Sequence, residues 1–270
     1  MVTAMPGDRA RTALAGSRFA DLRWVADTGS TNADLLALAA EGAPDGVVLV
    51  TDHQTAGRGR LGRSWEAPPG SSLLVSILLR PTLAPEQLHL LSMAVAVAAS
   101  DACDAVAGIR PRLKWPNDLV AVTPAGDERK LAGILAESSV RAGGVAAVVV
   151  GMGLNVEWPA ELPAELAAVA TALNHLGAAG VDREDLLVAI LAGLAPVLDA
   201  LEEPAGRDAL LLRYRHLSAT LGREVRVELP SGAIRGTAVD VSDDGHLLVD
   251  LAGELVPVRA GDVVHVRPVD

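Results

Sequence analysis

The segment Gly57-Arg58-Gly59-Arg60-Leu61-Gly62-Arg63-Ser64-Trp65 alternates arginines with glycines and ends on a tryptophan, in a chain of 270 residues with a formal net charge of -11. Glycine lets the backbone approach a ligand closely, and the arginine guanidinium matches the oxygens of a carboxylate or phosphate. The segment therefore predicts a loop that binds a small anionic ligand, with Trp65 offering a flat face to a ring. Taken alone, it is equally compatible with an arginine-rich surface turn or a nucleic-acid-binding segment.

The composition limits the classes of function. The chain has 34 acidic residues against 23 lysines and arginines, which argues against a large sequence-independent DNA surface. One cysteine, Cys103, allows no internal disulfide and fits a reducing cytoplasm. The first eighteen residues lack the apolar core of a secretory signal, and the longest apolar runs (73–79, 145–150 and 186–198) are shorter than the ~20 residues of a membrane span. We therefore expect a cytoplasmic protein with no membrane and no DNA partner.

The spacing of apolar residues predicts an α+β fold. Runs at 47–51 and 73–79 read as strands on either side of the arginine segment, and four more extended runs lie between 113 and 150. Because short turns join these four, we expect neighbouring strands to be antiparallel. Helices are predicted at 33–40, at 85–106 and from Asp182 onward. The sequence thus predicts a mixed, largely antiparallel sheet flanked by helices.

The pattern changes at Gly222, where apolar residues begin to alternate with polar ones. This alternation predicts a small β-barrel of about five strands. We therefore expect three parts in the chain: a flexible N-terminus over residues 1–20, a catalytic domain over 21–218 and a small barrel domain over 219–270.

Further segments place polar residues beside glycine or proline at the ends of predicted strands and helices. Lys114-Trp115-Pro116-Asn117-Asp118 holds a cation and a carboxylate next to a rigid proline, although an ordinary β-turn also tolerates these residues. The strand segment 129–137 opens with Lys130 and contains Gly133, which indicates a close backbone approach. Gly151-Met152-Gly153-Leu154-Asn155 follows an apolar run, and Asp27-Thr28-Gly29-Ser30-Thr31-Asn32 precedes a helix that its side chains would cap. Such a helix N-terminus also binds anions.

In this order and spacing, the segments resemble the biotin protein ligase family, also called biotin–acetyl-CoA-carboxylase ligases. The resemblance runs from Asp27 to about residue 175, and the predicted barrel agrees with the SH3-like C-terminal domain of that family. It implies a class II synthetase-like sheet and an enzyme that works in two steps. Biotin and ATP, with Mg²⁺, would give biotinyl-5'-AMP and pyrophosphate, and a lysine of a biotin carboxyl carrier protein would then take the biotin. No tightly bound cofactor is implied.

The resemblance also implies roles for individual residues. The residues that would bind biotin are Ser30, Thr31, Asn32, Gln54, Gly57, Arg58, Lys130, Gly133, Leu135 and Gly151. Those that would bind ATP or the adenylate are Arg60, Arg63, Trp65, Asn117 and Asn155. The catalytic set would be Arg58, Lys130, Asp118 and Lys114. In this set Asp118 would orient the attacking amine or a Mg²⁺ ion, and Lys114 would stabilise the phosphates.

Two other functions stay open at this point. A lipoate or octanoate ligase would perform similar chemistry, but its usual Arg-Arg-x-Ser-Gly-Gly-Gly loop is absent. A non-enzymatic nucleotide- or nucleic-acid-binding module would use the arginine segment on phosphates. Because the motifs begin at Asp27, the resemblance implies the monofunctional form without the winged-helix repressor domain of some relatives. The sequence is compatible with a monomer or a weak homodimer.

Overall fold

The computed structural model describes residues 5–141, 144–229, 232–259 and 262–265, which form two sheets and six helices. The strands of the first sheet are β1 (Leu22–Thr28), β2 (Val48–Gln54), β3 (Ser72–Leu79), β4 (Arg112–Lys114), β5 (Asp118–Val122), β6 (Glu128–Arg141) and β7 (Gly144–Asn155). The helices are α1 (Asp8–Ala13), α2 (Thr31–Glu41), α3 (His89–Ala107), α4 (Ala164–Ala167), α5 (Arg183–Ala200) and α6 (Pro204–Leu217).

The first sheet runs in the order β1-β2-β3-β7-β6-β5-β4. All eight residues of β3 are buried, because this strand lies inside the sheet and helices cover both of its faces. Every neighbouring pair is antiparallel except β1 and β2, which are parallel. The predicted α+β class and the largely antiparallel sheet are confirmed, whereas β1 was not predicted.

The helices sandwich this sheet. On one face α2 contacts β3 and β7, and Leu35 and Ala39 are buried there with Leu78 and Val149. On the other face α3 packs against the sheet, α5 and α6. Within the described part of the chain, the segment Pro85–Ala107 is the one helix long and apolar enough to cross a membrane, but two thirds of it is buried inside the protein. It is the central core helix of this fold.

The flexible N-terminus expected over residues 1–20 stays a prediction, although its described residues, 5–20, contain helix α1; residues 1–4 lie outside the described part. Helix α1 packs on α5, and Ala10, Leu14 and Phe19 are buried. The side chain of Glu184 accepts hydrogen bonds from the backbone N–H groups of residues 7 and 10. Arg9 forms ion pairs with acids at the start of α5. The segment looked unstructured because these partners lie far away in the sequence.

The second sheet consists of β8 (Glu224–Leu229), β9 (Gly232–Val241), β10 (Leu247–Leu251), β11 (Glu254–Val258) and β12 (Asp262–His265). Its order is β11-β10-β9-β8-β12, and each pair is antiparallel. The five predicted strands are therefore present. The predicted division at residues 218 and 219 stays a prediction, and residues 230–231, 260–261 and 266–270 of the predicted barrel domain lie outside the described part.

The second sheet touches the first through the segment Lys114–Asp118. The indole Nε1–H of Trp115 donates to the carbonyl oxygen of Gly245, which lies in the turn between β9 and β10, at 3.1 Å. The backbone N–H of Trp115 donates to Thr220 Oγ1 at 3.1 Å, and that of Ala219 donates to the Leu113 carbonyl at 2.7 Å. The segment around Trp115 is thus hydrogen-bonded both to the chain that leads into the second sheet and to the turn between β9 and β10.

Candidate active site

A cavity of about 340 Å³ lies where β6 and β7 meet the arginine loop, residues 57–65. Its volume is in the range of small-molecule sites. Fifteen of the residues predicted from the sequence line it, namely Ser30, Thr31, Asn32, Gln54, Arg58, Arg60, Arg63, Trp65, Lys114, Asn117, Asp118, Lys130, Gly133, Leu135 and Gly151. The four motifs and the start of α2, which are far apart in the sequence, therefore meet in one place.

One group of side chains that line the cavity is polar but uncharged. Ser30 caps α2 by accepting from the backbone N–H of residue 33, and Thr31 donates from its N–H and its hydroxyl to Gln54 Oε1 at 2.9 and 3.0 Å. The hydroxyl of Ser76 donates to Asn32 Oδ1 at 2.6 Å, and its oxygen lies 2.7 Å from that of Thr31. These side chains are nearly buried, so they present fixed donors and acceptors to a neutral polar group.

A second group of lining side chains is cationic. Arg58, Arg60, Arg63, Lys114 and Lys130 line the cavity, and Asp118 is the one acid among its described lining residues. These two lysines are the only lysines of the whole chain. Lys130 Nζ lies 2.6 Å from Asp118 Oδ1, and Arg60 donates to Asn117 Oδ1 at 3.3 Å. A surplus of positive charge inside an acidic protein indicates a site for an anionic ligand.

Burial affects the charge of one of these arginines. The pKa of Arg60 is lowered from its usual value, chiefly by removal from water and further by repulsion from Arg63, while the Asp118 carboxylate opposes the shift. An arginine stays protonated in proteins despite such a shift. Arg60 is therefore a partly desolvated cation, and its attraction for an incoming anion is less screened than at the surface.

The floor of the cavity is made of glycine. Gly133 on β6 pairs with Gly153 on β7, and the Trp65 indole lies over both. A Cβ at Gly153 would come within 2.4 Å of the Trp65 ring, and one at Gly133 within 2.8 Å. At Gly151 a Cβ would lie 2.1 Å from Asn32 Oδ1. These glycines are therefore needed for the close approach of side chains that line the cavity.

Trp65 carries a further signal. Its buried indole Nε1–H has no hydrogen-bond partner among the described residues, and Lys130 Nζ lies 5.3 Å from the ring centroid. An unpaired buried donor costs free energy, about 1–3 kcal/mol. A ligand that offers an acceptor at this position would remove that cost.

Two predicted site residues do not line the cavity. Gly57 closes the arginine loop: its carbonyl accepts from the Trp65 N–H at 3.0 Å, and a Cβ there would lie 2.3 Å from the Trp65 carbonyl oxygen. Asn155 is 1% exposed and donates through Nδ2 to the carbonyl of Thr171, while its Oδ1 has no partner in the described part of the chain. Contact of these two residues with a ligand stays a prediction.

Sequence reasoning missed some of the residues at this site. Ser76 is the one polar side chain inside the apolar run 73–79, a signal that was available but not used. Glu137 contacts Arg58 and Asn32, and Val263 of β12 lines the cavity from the second sheet. No local pattern announces Val263, because it reaches the cavity only through the packing of the two sheets.

The described residues contain no group of three or more His, Cys, Asp and Glu side chains that could hold a metal ion. The predicted metal ligand Asp118 is paired with Lys130. A magnesium ion that arrives bound to a nucleotide nevertheless needs only one carboxylate from the protein, because phosphate oxygens and water supply its other ligands. The site fits an ion delivered with its substrate better than a resident one.

Comparison with known proteins gives the same picture. Residues 26–155 match the biotin/lipoate A/B protein ligase family, and residues 220–266 match the biotin protein ligase C-terminal domain. A biotin–[acetyl-CoA-carboxylase] ligase of Mycobacterium tuberculosis is 43% identical over 94% of this chain and 92% of its own length. A bifunctional ligase/repressor of Escherichia coli is 30% identical over 87% of this chain and 70% of its own length.

A solved structure has the same architecture. The biotin protein ligase from Aquifex aeolicus in complex with biotin and ATP superposes with a TM-score of 0.78 at 29% identity, over 93% of this chain and 100% of that one. The matches cover both sheets and all the motifs that line the cavity. On this basis the chain belongs to the biotin protein ligase family.

Proposed function

We propose that this protein activates biotin with ATP to biotinyl-5'-AMP and transfers the biotin to a lysine of a biotin carboxyl carrier protein. The observation that carries the proposal is that one cavity is lined by two groups of side chains, one polar but uncharged and one cationic. Biotin has two corresponding parts, because its ureido ring is polar and neutral whereas its far end is a carboxylate. The 43% identical relative named as a biotin ligase supports the same reaction.

In the first step a carboxylate oxygen of biotin attacks the α-phosphorus of ATP. The new P–O bond forms as the bond to the bridging oxygen breaks, and pyrophosphate leaves with that electron pair. Two unit charges of like sign ~4 Å apart repel by about 4 kcal/mol at an effective dielectric constant of ~20. Arg58 binds the carboxylate, and its positive charge and that of Lys130 offset this repulsion.

Binding follows the two groups of lining side chains. The ureido ring meets Ser30, Thr31, Asn32 and Gln54, and the walls beside it are Gly133, Leu135 and Gly151. The nucleotide meets Arg60, Arg63, Trp65 and Asn117, which line the cavity, and also Asn155. Mg²⁺ would arrive on the phosphates of ATP, and Asp118 would supply a protein oxygen to it or orient the attacking amine.

In the second step the acceptor lysine attacks the carbonyl carbon of biotinyl-5'-AMP, an amide forms and AMP leaves. The amine starts with a pKa of about 10.4, so its deprotonation at pH 7 costs roughly 4.6 kcal/mol. Asp118 accepts a hydrogen bond from that amine and orients it, while Lys114 stabilises the departing phosphate. Relatives named for acetyl-CoA carboxylase point to the carrier domain of an acyl-CoA carboxylase as the acceptor.

The rest of the proposal concerns the location, the oligomeric state and the partners of the protein. We expect a cytoplasmic location, a monomer or weak homodimer, and no DNA or membrane partner. The excess of acidic residues and the single buried cysteine support these expectations.

The test is to incubate the protein with ATP, Mg²⁺ and biotin, lipoate or octanoate in separate reactions, and to detect the adenylate by mass spectrometry. We expect an adenylate from biotin alone and a loss of about 10²–10³-fold in its rate for Lys130→Ala. Arg226→Ala is the matched control, because Arg226 also sits in an ion pair, with Glu228 at 2.8 Å, but outside the cavity.

Each other outcome is informative. An adenylate from lipoate or octanoate but not biotin would favour the lipoate-ligase alternative. No adenylate from any acid would contradict the enzymatic proposal and would leave a nucleotide- or nucleic-acid-binding module, which a salt-sensitive gel shift would then reveal.

A further inference from the structure

Glu137 lies just outside the cavity, on the part of β6 that extends beyond β5, where it pairs with Val149 of β7. Its Oε2 atom contacts two groups of the site. It accepts a hydrogen bond from Asn32 Nδ2 at 2.8 Å, and Arg58 Nη2 lies 3.2 Å from it. One carboxylate oxygen therefore joins the start of α2 to the arginine loop.

Asn32 holds this carboxylate in a defined orientation. The side chain of Asn32 is almost fully buried over Gly151, its Oδ1 accepts from the Ser76 hydroxyl, and its Nδ2 also donates to the Leu135 carbonyl. Every polar atom of the amide thus has a partner, which leaves it one rotamer. The fixed sheet and the start of α2 thereby determine where Glu137 places its negative charge.

Arg58 has much less support of its own. It belongs to a loop whose backbone pairs with itself through the bridge between Arg58 and Ser64, and its side chain is 42% exposed. A free arginine side chain loses rotamer entropy when it is held in one position. Within the described part of the chain, Glu137 is the ion-pair partner of this guanidinium.

The geometry of that pair leaves the cavity side open. The guanidinium uses one nitrogen, Nη2, for Glu137, while Arg58 itself lines the cavity. An arginine has five N–H donors in a planar fork, so the remaining ones are available to a carboxylate in the cavity. The ion pair therefore occupies one nitrogen of the guanidinium and leaves the other N–H donors for the substrate.

On this basis we propose that Glu137 is a positioning residue for Arg58: it acts on the acid substrate only by holding the Arg58 guanidinium at the cavity. This inference rests on the proposed function. Because the effect is on binding the acid, loss of Glu137 raises KM for biotin and leaves kcat almost unchanged.

The experiment measures pyrophosphate release against biotin concentration at saturating ATP and Mg²⁺, for the unmodified chain, Glu137→Gln, Glu137→Asp, Arg58→Ala and the Arg58→Ala/Glu137→Gln double variant. We expect Glu137→Gln to raise KM for biotin about tenfold, as for loss of one charge-assisted hydrogen bond, with kcat within about twofold. Glu137→Asp keeps the charge but shortens the side chain, so it should raise KM as well. In the Arg58→Ala background, Glu137→Gln should add nothing.

Glu128→Gln is the matched control. Glu128 lies on the same strand and pairs with Arg223 at 3.1 Å, and the exposed fractions of this pair, 24% and 40%, resemble those of Glu137 and Arg58, 26% and 42%. Glu128 does not line the cavity, so the KM of Glu128→Gln for biotin should equal that of the unmodified chain. Thermal melting checks that each variant is folded. If Glu137→Gln does not fold, the KM of Glu137→Asp is compared with that of Glu128→Gln instead.

Three results would overturn the inference: an unchanged KM in both Glu137 variants, a normal KM in Glu137→Asp with a raised one in Glu137→Gln, or an equal KM rise with and without Arg58. The second result would mean that the charge alone matters and not its position. Absence of adenylate in the unmodified chain would instead contradict the proposed function, so the two failures are distinguishable.

Discussion

The arginine loop, residues 57–65, and the segment Lys114–Asp118 line the same cavity but are supported in opposite ways. The loop pairs mainly with itself: Gly59 N–H donates to the Arg63 carbonyl at 2.7 Å, and the Leu61 side chain is 72% exposed. In the segment, Trp115 is 4% exposed and hydrogen-bonds to Thr220 and Gly245. Asn117 also exchanges two hydrogen bonds with Ile134, each of 2.8 Å.

The two walls of the cavity therefore differ in how firmly they are held in place. One wall of the cavity is held by both sheets and keeps Lys114 and Asp118 in place. The other wall is a glycine-rich hairpin that carries Arg58, Arg60 and Arg63 to the cavity and that we expect to exclude water once phosphates have bound. Substitutions in the two walls should therefore have different consequences for stability and for catalysis.

The largest effect is expected where the loop meets the floor. In Gly153→Ala, the new Cβ would lie 2.4 Å from the Trp65 ring, so the indole and the end of the loop must move. Displacements of this size cost about 100-fold in kcat/KM, and adenylate formation measures this. Gly193→Ala in α5 is the control, because nothing lies within 4 Å of a Cβ there. It should stabilise the fold by up to about 1 kcal/mol without changing kcat/KM.

A smaller effect is expected at the anchored wall. Trp115→Phe leaves the Gly245 carbonyl without its donor, which should cost about 1–3 kcal/mol of unfolding free energy and lower kcat/KM about tenfold through displacement of Lys114. Trp158→Phe is matched, since Trp158 is also 4% exposed and its indole donates to Ser72 at 3.0 Å. It should lose similar stability by urea unfolding and keep its activity. Equal kinetic losses in both would mean that the anchor has no special role.

A pH effect is expected at the junction of the two walls. His89 packs edge-on against His246, with ring centroids 5.5 Å apart. Burial, and then repulsion from His246 and Arg60, lowers the pKa of His89, while Asp244 opposes the shift. The folded-state pKa therefore lies below the unfolded value of about 6.5, so the stability linked to neutral His89 is complete above pH ~6.5 and is lost as the pH falls below it.

Urea unfolding at pH 7.5 and 5.5 measures this loss. His89→Gln should lose less stability between the two pH values than the unmodified chain, whereas His216→Gln, at an exposed position of α6, should behave like the unmodified chain. If His89→Gln loses as much unfolding free energy between these pH values as the unmodified chain does, other groups cause the acid sensitivity.

The smallest effect is expected at the tip of the loop. Leu61 has a φ of 56°, which a leucine rarely adopts, and its side chain is exposed. Leu61→Ala removes no buried contact, so the unfolding free energy should change by less than about 0.5 kcal/mol. A larger destabilisation would mean that the tip packs on something, and that the loop is as well supported as the other wall.

Local patterns predicted the site better than they predicted the periphery. The motifs, together with the family resemblance that they carry, named fifteen lining residues, including Gln54 and Leu135, which no local pattern singles out. Strand β1 was missed because an edge strand with one neighbour needs few apolar residues, and only Leu22 is buried in it. Glu137 and Val263 were missed because their partners lie far away in the chain.

The only two lysines of the chain, Lys114 and Lys130, both line the cavity, and the other 21 basic residues are arginines. Biotinyl-5'-AMP is a mixed anhydride that reacts with amines, and guanidinium groups stay protonated and unreactive at neutral pH. An enzyme with no lysine elsewhere offers no side-chain amine on its surface to any adenylate that escapes. It should therefore resist self-biotinylation, and prolonged turnover without a carrier protein should leave its side chains unmodified in an intact-mass spectrum.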